Sequence, residues 1–186
     1  MMTREERHER GITEEQRFYE TMLKCPNVIE ITKTEPEKDM SDKQDFIIRF
    51  KTIYGIKELT GDVKSPSKNN PRFVNINHTS RDGSIGTLPL SKSDLIVVRG
   101  LYDDLGKLNP PKEVYYFITK DNVWNTITPD MYREASDGSC YHNIPIYSDI
   151  PGRMSGGGLA VKRSFYIDMD RNLQISRFDL YNKILR

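Results

Sequence analysis

A chain of 186 residues carrying 28 Lys and Arg against 27 Asp and Glu reads as one ordinary domain with a formal charge of only +1. That balance gives no blanket positive charge to attract a polyanion. At 36% hydrophobic and 30% charged residues, with a mean hydropathy of −0.66, the chain is polar. Ten Tyr, seven Phe and one Trp are nevertheless too many aromatics for a disordered one. No apolar run approaches the roughly 20 residues of a membrane helix. The charged opening MMTREERHER lacks the apolar core of a signal peptide. Two cysteines, Cys25 and Cys140, are too few for a disulfide framework or a thiolate metal site. The expectation is a soluble, cytoplasmic, single domain spanning 1–186.

Residues 1–11 read as a charged lead-in stopped by Gly11. A helix is expected from Thr13, where Thr-Glu-Glu-Gln forms a capping box with Ile12 as staple. Its apolar stripe is Phe18, Tyr19, Met22, Leu23 and Cys25, and Pro26 ends it. VIEIT (28–32) predicts a short strand and TEPEKDMSDKQ (34–44) a charged loop. DFIIRF (45–50) and IKELTGDVKS (56–65), joined at Tyr54-Gly55, predict a hairpin. FVNINH (73–78), DLIVVRG (94–100) and EVYYFIT (113–119) predict further strands, with turns over 79–93. Residues 121–135 predict a helix capped at Asp121 or Asn122 and divided by Pro129. A Gly/Pro-rich loop covers 136–163, SFYIDM (164–169) is a strand, and a short helix capped at Ser176 closes the chain. Helix, strands, then helix and strand again predict a mixed α/β or α+β fold, with connections too short for a doubly wound one.

The densest chemistry lies in the hairpin. Alternate residues of a strand share a face, so Asp62 and Lys64 project together while Val63 packs on the other side. A carboxylate beside an ammonium suits a site where a divalent cation is held next to an attacking water. Asp45 opens the partner strand and can meet Asp62 if the register allows. Glu15 lies near the centre line of the helical stripe and Glu14 at its edge, so Glu15 is the acid expected to need a partner. Read alone, a D-x-K strand is an ordinary solvated pair.

The order of Glu15 in a first helix, Asp45 opening a strand, and Asp62 with Lys64 ending its hairpin partner resembles the PD-(D/E)xK nuclease superfamily. FVNINHTSRDGSIGTLPLSKSDLIVV also resembles a stretch found in phage and resolvase-type members. The likeness covers about residues 12–120. Gln44 stands where the motif has proline, and the second acid is Asp62 rather than Glu. The resemblance implies a restriction-endonuclease-like central mixed β-sheet flanked by helices, and a metal-dependent DNA nuclease of phage or mobile-element type. Asp45, Asp62, the Val63 carbonyl and Glu15 would hold Mg²⁺ or Mn²⁺, and Lys64 would serve the water. A polar residue on the third strand of the motif would join them, with Asn77 favoured over Asn75 and His78. The helix usual between the third and fourth strands is not evident.

Residues 153–186 hold seven basic and three acidic residues, against thirteen and fourteen for 1–68. A basic wall facing an acidic site fits double-stranded or branched DNA. Lys68, Arg153, Lys162 and Arg163 are the candidate phosphate contacts, and a homodimer is one expected arrangement. Cys140 and His142 carry no further catalytic motif, and Tyr115, Tyr116, Phe117 and Trp124 read as packing. The alternatives are a nuclease-fold adaptor without catalysis and a phage structural or host-interaction protein.

Overall fold

A computed structural model describes residues 4–67, 73–79, 86–102, 112–125, 127, 129–135, 138–145, 164–169, 171–176 and 178–186. Helix α1 (Arg4–Met22) runs straight through Gly11, so residues 4–11 of the segment expected as a lead-in are helical. Thr13 is not its cap, because the Thr13 hydroxyl donates one turn back to the Glu9 carbonyl at 2.8 Å. A glycine inside a helix costs about 1 kcal/mol. Here good helix formers flank it, and Arg10 ties the helix down by donating to the Pro66 carbonyl at 2.6 Å.

Strand β1 (Val28–Lys33) follows. The expected charged loop then holds helix α2 (Pro36–Asp42), with proline in its first turn, where a missing N–H costs nothing. Strands β2 (Phe46–Thr52) and β3 (Gly55–Lys64) form the expected hairpin, with Phe46 opposite Gly61. Gly55 makes its turn at φ +114°, a conformation L side chains rarely adopt. Strand β4 (Phe73–Thr79) leads to α3 (Thr87–Leu90), a four-residue helix where turns were expected. Strands β5 (Leu95–Tyr102) and β6 (Lys112–Thr119) come next.

The helix expected over 121–135 is replaced by three shorter pieces. Helix α4 (Lys120–Trp124) is capped by Thr119, whose hydroxyl accepts from the Asn122 N–H at 3.2 Å. A 3₁₀ turn at Pro129–Met131 and strand β7 (Tyr132–Glu134) complete the segment. β-Branched residues before Pro129 and the proline itself disfavour a continuous helix. Strand β8 (Cys140–Pro145) lies inside the expected Gly/Pro-rich loop, whose stretch 146–163 lies outside the described residues. Strands β9 (Phe165–Asp168) and β10 (Gln174–Ser176) and helix α5 (Phe178–Ile184) close the chain, and Ser176, expected as the helix cap, is the last residue of β10.

The architecture is mixed α/β. The main sheet has seven strands in the order β1-β2-β3-β5-β6-β9-β10, and β4-β8-β7 form a second sheet of three. Every neighbouring pair in the main sheet is antiparallel except β3 and β5, which run parallel with Val63 opposite Val97. Helix α1 lays Phe18 and Met22 on one face, against Phe46, Ile48, Phe50, Val63, Val97 and Phe117. The second sheet covers the other face, where Val74, Ile76 and Ile144 meet Ile96, Val98 and Tyr116. Strand β5 is buried on both faces, which explains its unbroken Leu-Ile-Val-Val run. Each fully buried aliphatic or Phe side chain contributes about 1.5–3 kcal/mol.

Candidate active site

Asp45 stands one residue before β2, and its backbone N–H donates to the Gly61 carbonyl at 2.9 Å. Its carboxylate turns toward β3, where Oδ2 accepts the Val63 N–H at 2.6 Å. The register thus places Asp45 beside the Asp62–Lys64 stretch. Val63 packs into the α1-side core, and Asp62 and Lys64 point the opposite way, as strand alternation requires. Asp62 is buried, at 1% exposure, and the Lys64 ammonium bonds its Oδ1. Asp62 Oδ2 is buried and makes no hydrogen bond of ordinary geometry among the described residues, while the Asp45 carboxyl and the Ser91 hydroxyl lie near enough to lower the Asp62 pKa as side-chain hydrogen-bond partners.

The electrostatics mark these residues as one unit. Burial, the adjacent Asp62 charge and Glu15 push the Asp45 carboxyl up to about 8, outweighing Lys64 and the Val63 N–H. Burial also raises Asp62, against the pull of Lys64. Burial alone would lower Lys64, but Asp62, Asp45 and Glu15 outweigh it and hold the ammonium above its ordinary value. Glu15, half-buried on α1, is raised by burial and by Asp39, and lowered by Lys33 and Lys64.

Residues 91–94 fasten the site from below. Ser91 is fully buried, and its carbonyl accepts from the Lys120 ammonium. The Lys92 N–H donates to the Asp42 carbonyl at 2.7 Å, and the Ser93 hydroxyl to the Lys43 carbonyl at 2.8 Å. The Asp94 carboxylate accepts from the Thr60 N–H at 2.8 Å and the Thr60 hydroxyl at 2.9 Å. One short segment therefore locks the end of α2, the entry to β2 and the middle of β3. Gly86 seats the helix leading to it: a Cβ there would lie 2.6 Å from the Asn77 carbonyl oxygen. The string SKSD is visible in the sequence, but its ties to Lys43 and Thr60 are not.

The structure does not bring Asn77 to this cluster. Strand β4 belongs to the second sheet, and Asn75 and Asn77 are exposed on its outer face, while Val74 and Ile76 face inward. His78 shares the inward side, and its ring meets that of His142 at 5.4 Å between centroids. His142 is buried, with Nδ1 unpartnered among the described residues, and burial followed by His78 lowers its pKa. Cys140 and His142 sit on one strand rather than in a loop, and Cys140 Sγ lies 4.0 Å from the Gly138 carbonyl.

Glu14, not Glu15, is the buried acid, at 5% exposure. It takes the Arg99 guanidinium at 2.9 Å and the Tyr115 hydroxyl at 3.1 Å. Arg99 also reaches Glu113 at 2.8 Å, and Arg17 meets the same carboxylate at 2.9 Å. Leu23, expected in the stripe, is 59% exposed, and the buried line through Met22 and Phe18 continues one turn back to Glu14. Trp124, expected in the packing, is 39% exposed, whereas Tyr115, Tyr116 and Phe117 are fully buried. Lys68, Arg153, Lys162 and Arg163 lie outside the described residues.

No family model, curated protein or solved structure matches this chain. The reading therefore rests on the site itself. Among the described residues, no group of three or more His, Cys, Asp and Glu is set to hold a metal, so Asp45, Asp62 and Glu15 do not form a closed three-acid cage. Two carboxylates with several waters satisfy Mg²⁺, which dehydrates reluctantly. Asp45, whose negative charge burial and Asp62 oppose, and Asp62, whose Oδ2 lacks a hydrogen bond of ordinary geometry among the described residues, are the donors such an ion would use. No helix of the described residues is long and apolar enough to cross a membrane.

Proposed function

We propose that this chain is a metal-dependent nuclease hydrolysing phosphodiester bonds in DNA, on a restriction-endonuclease-like scaffold. The observation that carries the reading is the buried carboxylate pair. Asp45 and Asp62 are held together at the open end of a hairpin, at a cost in stability, with Lys64 on one of them and an Asp62 oxygen left over. Helix α1, strands β1–β3 and the parallel return to β5 support the scaffold. In place of a long helix before β5, this chain has β4 and the short α3.

Asp45 and Asp62 would hold Mg²⁺ or Mn²⁺, with the Val63 carbonyl and Glu15 beside them. The ion would supply Lewis-acid stabilisation of the phosphoryl oxygens and a more acidic water. Lys64 orients the attacking water and balances charge on the phosphate. Val63 fixes the Asp45 carboxylate through its N–H, and the 91–94 segment keeps both strands in register.

The test is incubation with supercoiled plasmid, single-stranded DNA and a four-way junction in Mg²⁺ or Mn²⁺. Asp62→Asn and Lys64→Ala are expected to lower the cleavage rate by about 10²–10⁴-fold, the range for loss of a positioned acid or base. Cleavage by both variants at the wild-type rate removes the assigned site. Salt-dependent DNA binding without cleavage by any form makes the chain an adaptor.

A further inference from the structure

The end of the β2–β3 hairpin remote from Asp45 carries an exposed apolar tip. Ile53, Tyr54 and Ile56 are 69%, 60% and 58% exposed there. Apolar side chains gathered at one exposed point mark a contact surface. Helix α5 packs beside the tip, where the Tyr181 hydroxyl bonds the Lys51 carbonyl. Between them lies an open cavity of about 330 Å³ lined by Ile53, Tyr54, Asn182, Lys183 and Arg186, within the size range of small-molecule sites.

The lining has three chemical parts. Arg186 holds its guanidinium carbon 5.7 Å from the centroid of the Tyr54 ring, an aromatic face already polarised by a cation. Asn182 lines the cavity with a side-chain amide. Exposed Lys183 and Arg186 stand at the rim, with Lys51 and Lys57 on the hairpin. Glu58, the nearest acid along β3, is paired with Arg49 at 3.8 Å. An aromatic face, an amide and cationic side chains together match a nucleotide: ring, base edge and phosphate. A lipid surface would use the cations and the apolar tip but not the amide.

We propose that this cavity is a subsite for one unpaired nucleotide of a single-stranded nucleic acid. The base stacks on Tyr54, its edge meets the Asn182 amide, and Lys183 and Arg186 take the flanking phosphates. The choice of nucleic acid as partner rests on the nuclease reading, but the subsite is separate from the acid cluster. Seven residues of β2 lie between them, about 23 Å at ~3.3 Å per residue. That spans roughly seven phosphates of duplex at ~3.4 Å each. The tip would thus hold an unpaired segment about seven nucleotides from the bond being cut.

The experiment is fluorescence anisotropy of a labelled oligothymidylate, about 12 nucleotides long to cover one site of this size, in EDTA so that no metal site contributes. Tyr54→Ala is expected to weaken binding about tenfold, and Tyr54→Phe to keep it within about twofold, because stacking needs the ring and not the hydroxyl. Lys183→Gln should lower the slope of log affinity against log salt by about 0.7. Circular dichroism checks the fold of each variant. Wild-type affinity in Tyr54→Ala, or no binding by the wild type, overturns the proposal and returns the tip to contact with another protein. Cleavage in Mg²⁺ is read in parallel. Tip-dependent binding without cleavage removes the nuclease reading alone, and Asp62-dependent cleavage with tip-independent binding removes the subsite alone.

Discussion

Asp45, a metal ligand in the proposed function, works against its own fold. Its carboxyl is pushed up to about 8 by burial and by Asp62, so the folded chain binds a proton that the unfolded chain, near the ordinary 3.8, releases. A raised carboxyl contributes stability that is full below the unfolded value and is lost as pH climbs toward 8. In EDTA the protein should therefore be less resistant to urea at about pH 8 than at about pH 5. Asp45→Asn should flatten that difference and stabilise the metal-free protein at the higher pH by a few kcal/mol, because each tenfold change in proton affinity is worth ~1.4 kcal/mol. Mg²⁺ should stabilise the wild type at that pH and leave Asp45→Asn nearly unmoved. An unchanged urea midpoint in Asp45→Asn at both pH values would show the carboxyl to be unstrained. Glu14 is the opposite case, an acid used for structure. Removing its cation with Arg99→Met should cost about 3–5 kcal/mol by urea unfolding. Glu14→Leu combined with Arg99→Met should cost less than the two single changes summed, and strict additivity would show the pair to be uncoupled.

The hairpin and the second sheet divide the work between elements. Strands β2 and β3 carry the acid cluster at one end and the apolar tip at the other, so one hairpin would space the two proposed sites. The β4-β8-β7 sheet covers the face of the main sheet toward which Asp62 and Lys64 project, and its own weak point is the His78–His142 pair. Burial and His78 lower His142, so it stays neutral in the folded chain and takes a proton on unfolding. That stability is present above the ordinary 6.5 and is lost as pH falls below it. His142→Leu should therefore shrink the loss of stability between about pH 7 and pH 5, measured as the shift in urea midpoint. An equal loss in the variant would place the acid sensitivity elsewhere. Asp45 and His142 work in opposite directions over overlapping pH ranges, so Asp45→Asn and His142→Leu should change the slope of stability against pH with opposite signs.

Across the whole molecule, alternation and hydrophobic runs sufficed for the strands that pack on both sides or pair locally. DFIIRF, IKELTGDVKS, DLIVVRG and EVYYFIT needed no distant partner to be read, and the Asp62/Lys64 alternation followed from the pleat alone. Local pattern failed where a distant contact outvoted it. Gly11 is helical because α1 is anchored to Pro66, and Glu14 outranks Glu15 as the buried acid because Arg99 waits on β5. FVNINH left the main sheet because Val74 and Ile76 bury best against Ile96 and Val98 on the neighbouring layer. By itself, then, the sequence determined the hairpin, its D-x-K face and the aromatic core. Only the tertiary structure decided the pairing of Asp45 with the Val63 N–H, the locking of the site by residues 91–94, and the cavity at Tyr54. Each of those depends on register and on partners 18 to 130 residues apart, which short-range periodicity does not encode.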